Sequence, residues 1–121
     1  MKPTEIIRYE AEKNGHDANK WLYAIKKLID KHLALMLQEN DSILLVIQLG
    51  DGNIEIHLFT KDTPVKLIDS IKKFIQKIKS SEVKTVYMPT PDDPNIITAL
   101  KRLGLNVEKS DRPKYAWRIV L

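Results

Sequence analysis

Glu55 and His57 stand two residues apart in the run Glu55-Ile56-His57-Leu58-Phe59-Thr60. In an extended strand, residues two apart share a face, so this spacing sets a carboxylate beside an imidazole. Such a pair can serve as a general base toward an amine nucleophile. Its plainer role is a polar couple within a sheet, with Phe59 packing alongside. The other two histidines, His16 and His32, fall at helix ends and lack further ligands at metal spacing. Surface or capping roles are expected of them, and no metal site is expected anywhere. No serine has a histidine at a spacing that suggests nucleophilic hydrolysis, and no Walker-type phosphate loop occurs. The chain has no cysteine, which excludes thiolate zinc sites, cysteine nucleophiles and a disulfide framework.

Lysine is concentrated in one segment. At ~100° per residue, Lys66, Lys73 and Lys77 fall on one line of a helix, opposite Leu67, Ile71, Phe74 and Ile78. A basic stripe of this kind can lie along phosphates or an acidic protein groove. It is more often the solvated back of an amphipathic helix, and no aromatic residues interleave it as stacking platforms for single strands. The net charge of +4 allows weak contact with nucleic acid without the density of a dedicated binding arm.

The elements that must position these residues follow from periodicity and turn chemistry. Pro3 opens a short helix that closes near Asn14-Gly15. Asp17 caps a second, in which Trp21, Leu22, Ile25, Leu28 and Ile29 recur at three- and four-residue spacing. Leu33, Leu35 and Leu37 alternate as a short strand, with Glu39-Asn40-Asp41 as its turn. The unbroken apolar run Ile43–Ile47 predicts a strand covered on both faces. Gly50-Asp51-Gly52-Asn53 is a hairpin signal, and Ile54 to Thr60 is the returning strand. Pro64 opens a long helix, Lys84 to Met88 forms a strand, and a helix from Pro94 is ended by Gly104. Leu105 to Glu108 is the next strand and Ser110-Asp111-Arg112-Pro113 a turn. Tyr115 to Leu121 is the last strand, with Tyr115, Trp117, Ile119 and Leu121 expected on one face. Trp21, Tyr115 and Trp117 read as core or subunit contacts.

This order, α-α-β-β-β-α-β-α-β-β, resembles the GNAT N-acetyltransferase fold with its first strand missing. Arg102-Leu103-Gly104-Leu105 is similar to that family's turn from its last helix into the next strand. Glu55 to Thr60 and Val83-Lys84-Thr85-Val86-Tyr87 are similar to the short, degenerate GNAT-like proteins of tailed bacteriophages. The resemblance implies an α/β (α+β) fold with a mixed central sheet and helices on both faces. It also implies acetyl-CoA as the cofactor, its pyrophosphate held where the Glu55 strand meets the next helix, and a glutamate on that strand as a base.

The departures bear on function. The family's Gln/Arg-x-x-Gly-x-Gly/Ala turn corresponds to Thr60-Lys61-Asp62-Thr63-Pro64-Val65, which holds no glycine. Pro64 has no amide hydrogen, Thr63 is placed to cap the helix itself, and Asp62 brings a negative charge. Lys61 and Thr63 are the residues left for a cofactor, and Lys61 can offset only one phosphate charge. The family's tyrosine acid, four residues before the glycine that ends the last helix, corresponds to Leu100, which has no proton to give.

The sequence therefore leads to one domain over 1–121, helical over 1–31 and a sheet-and-helix core over 32–121. The expected function is that of a non-catalytic GNAT-like phage protein, a virion-associated or protein-interaction component with no cofactor expected. The alternative is an N-acetyltransferase that uses acetyl-CoA through an atypical site. The partner is a phage or host protein, or a second copy held through the N-terminal helices and early strand. Ile6, Ile7 and Tyr9 are more apolar surface than so short a helix is expected to bury within one subunit, and the Leu33–Gln38 edge carries little charge. No membrane segment is read, and the location expected is the host-cell cytoplasm or a virion.

Overall fold

A computed structural model describes residues 1–89 and 94–121. The ten elements come in the expected order: α1 (Pro3–Lys13), α2 (Ala18–Asp30), β1 (Ala34–Glu39), β2 (Ser42–Gly50), β3 (Asn53–Thr60), α3 (Pro64–Lys79), β4 (Thr85–Met88), α4 (Pro94–Arg102), β5 (Asn106–Lys109) and β6 (Trp117–Val120). They form one six-stranded sheet in the order β1-β2-β3-β4-β6-β5. Among the described residues β3 and β4 run parallel, joined by the α3 crossover, and the other neighbours are antiparallel.

Each face of the sheet has its own core. Leu44, Val46, Ile54, Val86 and Ile119 pack with Ile71, Phe74 and Ile78 of α3 and with Ile97 and Leu100 of α4. Ile43, Leu45 and Phe59 pack on the other face with Ile6 and Ile7 of α1 and Ile25 of α2. The alternation of Ile43, Leu44, Leu45 and Val46 between two covered faces is why that run is continuously apolar. The α3 phase is as the sequence predicts. Ile71, Phe74 and Ile78 are buried, Leu67 is half-buried, and Lys66, Lys73 and Lys77 face outward. Lys73 pairs with Asp69 at 3.1 Å and Lys77 with Glu39 at 2.8 Å.

The turns follow the local chemistry. Asp17 accepts from the amides of Asn19 and Lys20 at the start of α2. The hairpin between β2 and β3 places Gly50, Asp51 and Gly52 at φ of 88°, 56° and 80°, a left-handed path that glycine allows without a Cβ clash. Among the described residues, no helix is long and apolar enough to cross a membrane.

Three expectations are corrected. The buried residue of β1 is Ala34, under α1 and α2, whereas Leu33 precedes the strand and both it and Leu35 are 46% exposed. The cause is position, because β1 is an edge strand and only Leu37 joins the core under α3 and α4. Ile6 and Ile7 are 0% and 1% exposed within one chain, because α1 lies across β2 and β3. The apolar surface of α1 is therefore largely spent inside the fold, leaving Tyr9 exposed. Last, β6 is shorter than expected. Trp117 and Ile119 meet the α3/α4 core, but Tyr115 precedes the strand and packs on Tyr87, whose side chain belongs to the opposite face.

Candidate functional site

The parallel pairing of β3 with β4 covers three positions, ending at Glu55↔Tyr87. Beyond that point β3 continues to Thr60, while Met88 and Pro89 accept from the amide of Ala116 on the far side of β4. The two strands thus separate. A cleft of about 550 Å³ occupies the opening, lined from one side of the sheet by Tyr9, Glu10, Trp21 and His57. From the other side Ile56, Leu58, Ile71, Phe74 and Leu100 line it.

The strand wall of this cleft has a defined polarity. The amide of Lys61 points to the β2 side and donates to Asp41 O in the turn before β2, while that of Thr60 points away and donates to Glu10 Oε1 at 3.2 Å. Backbone direction alternates along a strand, so the N–H and C=O of Leu58 face the opening. Glu10, reaching down from α1, takes the last of these donors.

Glu55 is 8% exposed and sits where the opening begins. Its Oε2 lies 2.5 Å from His57 Nε2, and its Oε1 accepts from the Tyr115 hydroxyl at 2.5 Å. Lys114 Nζ is 3.9 Å from Oε1. Burial pushes this carboxyl up, but the Tyr115 and His57 hydrogen bonds, with the charge of Lys114 and of His57 whenever the imidazole is protonated, outweigh it and hold it below its ordinary value. Tyr115 is pushed up to about 12 by its own burial and by the hydrogen bond to Glu55, so its hydroxyl stays protonated and donates. An ionised Glu55 only accepts. Nε2 of His57 therefore carries its proton toward Glu55, and Nδ1 is left as the basic nitrogen. His57 is a half-buried wall of the cleft.

The same face carries a polar row across the strands, Glu55↔Tyr87↔Arg118↔Glu108. Arg118 binds Glu108 through Nε at 2.6 Å and Asp111 through Nη1 at 2.9 Å. The Tyr87 hydroxyl donates to Asp111 at 3.0 Å and, with Arg118, holds that carboxyl below its usual range. Arg112 stacks over the Tyr87 ring. The β5–β6 segment is thereby folded back over the row, which brings Tyr115 to Glu55.

The turn from β3 into α3 is built differently from expectation. Asp62 is directed inward. Its Oδ1 accepts from the Asp41 amide at 3.0 Å, and its Oδ2 accepts from the hydroxyls of Ser42 and Ser70. Both serines are fully buried, and Thr60 Oγ1 lies 2.6 Å from Ser42 Oγ. A buried hydroxyl without a partner is costly, so Asp62 faces the network and not the solvent at the helix start. Thr63 occupies the N-cap position but makes no side-chain cap hydrogen bond, contrary to the role expected of it. Lys61 lines the cleft with its Nζ 4.5 Å from the Tyr9 ring centroid.

Of the residues named from sequence, the structure brings Glu55, His57 and Lys61 to the cleft and leaves Thr63 exposed at its outer end. Lys66, Lys73 and Lys77 stay on the back of α3. His16 stacks on Trp21, His32 ends α2 at φ 59°, and no group of metal-ligating side chains occurs among the described residues. Sequence reasoning missed Tyr115 as a partner of Glu55, and also Glu10, Ser42 and Ser70. The Tyr87–Arg118–Glu108 row is recoverable from strand alternation only once the register is known.

No protein-family model matches the sequence, and no curated protein does. Solved structures do resemble it. A ribosomal-protein-alanine N-acetyltransferase from Brucella melitensis aligns at TM-score 0.59 and 6% identity, covering 98% of this chain and 90% of the other. An N-acetyltransferase from Staphylococcus aureus Mu50 aligns at 0.58 and 8%, covering 96% and 87%. A domain from Methanocaldococcus jannaschii DSM 2661 aligns at 0.56 and 16%, covering 84% and 75%. At these identities the likeness concerns the fold, and it is the GNAT fold.

The acyl-CoA which that fold implies meets this chain in two parts. The cleft, with the backbone groups of Leu58 turned toward it and unpaired among the described residues, suits an amide-bearing arm that can add to a strand edge. The turn at 61–66 does not suit a pyrophosphate. It has no glycine, Pro64 offers no amide, and Asp62 ties the backbone inward.

Proposed function

We propose that the protein is an N-acyltransferase that moves an acyl group from a thioester to an amine. The supporting observation is the Glu55–His57 pair at the point where β3 leaves β4, with Nδ1 of His57 given no partner among the described residues and His57 lining the cleft. A bound acyl thioester would supply the electrophilic carbonyl and a thiolate leaving group. His57 takes the proton that the attacking amine loses, at Nδ1. Glu55 offsets the charge of the resulting imidazolium, and Tyr115 keeps Glu55 in place. Leu100 offers no proton, so water protonates the departing sulfur. The test is thiol release from acetyl-CoA and from S-acetylpantetheine against a panel of primary amines. Amine-dependent release that falls about 100-fold or more in His57→Ala is expected, the range for loss of a general base. No amine-dependent release from either donor, or release indifferent to His57, overturns the proposal.

A second reading is a non-catalytic component of a phage, virion-associated or held to a protein partner. It is favoured by the free edge of β1, where Leu33, Leu35 and Met36 are exposed, a surface on which another strand can add. Light scattering across a concentration series tests the self-association form of this reading. A dimer abolished by Leu35→Lys supports it, and a strict monomer that retains no partner on the phage particle sinks it.

A further inference from the structure

The two halves of the donor site make opposite statements about the ligand, and this inference rests on the acyl-transfer reading. The inner half is a cleft of about 550 Å³, within the range that takes a whole small ligand. Ile56 and Leu58 of β3 are only half-buried beside it, although their neighbours Ile54 and Phe59 are fully buried. The outer half is a turn that would have to wrap two phosphates. Backbone nests of that kind need free amides and a path that comes close to the phosphate oxygens. Here the path is fixed by Asp62, whose two oxygens are spent on Asp41, Ser42 and Ser70. The chain's glycines are at positions 15, 50, 52 and 104, all outside this turn. What remains is an uncapped helix start beside the exposed side chains of Lys61 and Lys66. That attracts any anion weakly and selects no pyrophosphate.

We infer that the acyl donor is recognised through its pantetheine arm alone, with no contribution from a nucleotide. The donor class is an acyl-pantetheine thioester, whether free or carried as a phosphopantetheine arm on a carrier protein. The polar groups of Leu58 pair with the amides of the arm, while Ile56, Leu58 and Phe74 enclose its carbon chain.

Binding tests this without any requirement for turnover. Calorimetric titration with pantetheine, with CoA and with adenosine 3′,5′-diphosphate is run in about 0.5 M salt, where long-range attraction between lysines and phosphates is screened. Pantetheine and CoA dissociation constants within about threefold of each other, and no displacement of either by the nucleotide, are the expected results. CoA binding tenfold or more tighter than pantetheine, displacement by adenosine 3′,5′-diphosphate, or no binding of pantetheine overturns the inference. A phosphopantetheinylated carrier protein forms the last arm. Affinity tenfold above free pantetheine assigns the carrier as the source, and equal affinity assigns the small molecule. Equal binding of CoA and pantetheine with no acyl transfer to any amine would retain the binding inference and sink the catalytic reading.

Discussion

Replacing Glu55 by Gln keeps the volume of the side chain and changes what it can accept. Glu55 receives two hydrogen bonds, from His57 Nε2 and from the Tyr115 hydroxyl, at an 8% exposed position. The Gln carbonyl oxygen can serve Tyr115, but the amide nitrogen then faces His57 as a donor. In that orientation two donors face one another unless His57 moves its proton to Nδ1 and presents Nε2 as an acceptor, which removes the basic nitrogen from the cleft. The flipped amide instead keeps Nε2–H in place and makes the Tyr115 hydroxyl an acceptor. Hydrogen bonds to charged groups are worth about 1.5–3 kcal/mol each. His57 is partly solvated, so water recovers part of its share. The expected net loss for Glu55→Gln is roughly 1–3 kcal/mol, which for a chain of this size lowers Tm by about 4–12 °C. Two assays check the two halves of the argument. Thermal unfolding reads the stability, and ring 15N shifts of His57 read the tautomer with no need to know the substrate. An unchanged Nε2–H tautomer together with a Tm within about 2 °C of the parent refutes the dyad as described.

Asp62→Ala removes the charged acceptor shared by Ser42, Ser70 and the Asp41 amide, leaving Ser42 with Thr60 Oγ1 and Ser70 with the carbonyls of Lys66 and Glu39. A loss of roughly 1.5–3 kcal/mol in urea unfolding is expected, and a loss under about 0.5 kcal/mol would mean the turn is not tied inward. Phe74→Ala, at a position 3% exposed in the α3/α4 core, should cost about 3–5 kcal/mol, and a cost near zero would place α3 in the wrong phase. Stability against pH has two marked limbs. The depressed Glu55 carboxyl contributes above its ordinary value of 4.5 and loses that contribution as pH falls through its lower folded value. Tyr115, raised to about 12, contributes fully below pH ~10 and loses it between there and ~12. Tyr115→Phe should abolish the alkaline limb in Tm measured against pH, and an alkaline limb of equal size in both proteins contradicts the Tyr115–Glu55 bond.

The order of elements was legible because each has a local cause. Proline stands at the starts of α1, α3 and α4, Asp17 caps α2, and glycines bend the β2–β3 hairpin. The phase of α3 was legible because its lysines and apolar residues separate at helical spacing. What escaped the sequence depends on contacts far apart in the chain. Tyr115 was assigned to a strand face by alternation, yet the alternation begins only at Trp117, because Asp111 and Arg118 fold the preceding turn back over Tyr87. The leucines of β1 alternate as a half-buried strand should, but an edge position leaves Leu35 without a covering element. Ile6 and Ile7 looked excessive for a short helix because the sequence does not say that α1 crosses the sheet.

The build of the 61–66 turn carries the largest consequence for the cofactor. From sequence, Asp62, Thr63 and Pro64 appear as three independent obstacles to a phosphate, through charge, through capping and through a missing amide. The structure keeps only the last in that form. Thr63 does not cap, and the charge of Asp62 is spent within the protein. The obstacle becomes one of backbone path, because Asp62 cannot release the turn without giving up its bonds to two buried serines and to the Asp41 amide. That distinction changes what a repair must do. Restoring glycine at Pro64 alone supplies an amide on a turn still held inward. Restoring it together with apolar replacements for Ser42, Ser70 and Asp62 frees the path as well. If CoA affinity rises over pantetheine affinity only in the combined variant, the staple is what excludes the nucleotide. A rise with Pro64→Gly alone would show that the missing amide was the whole of it.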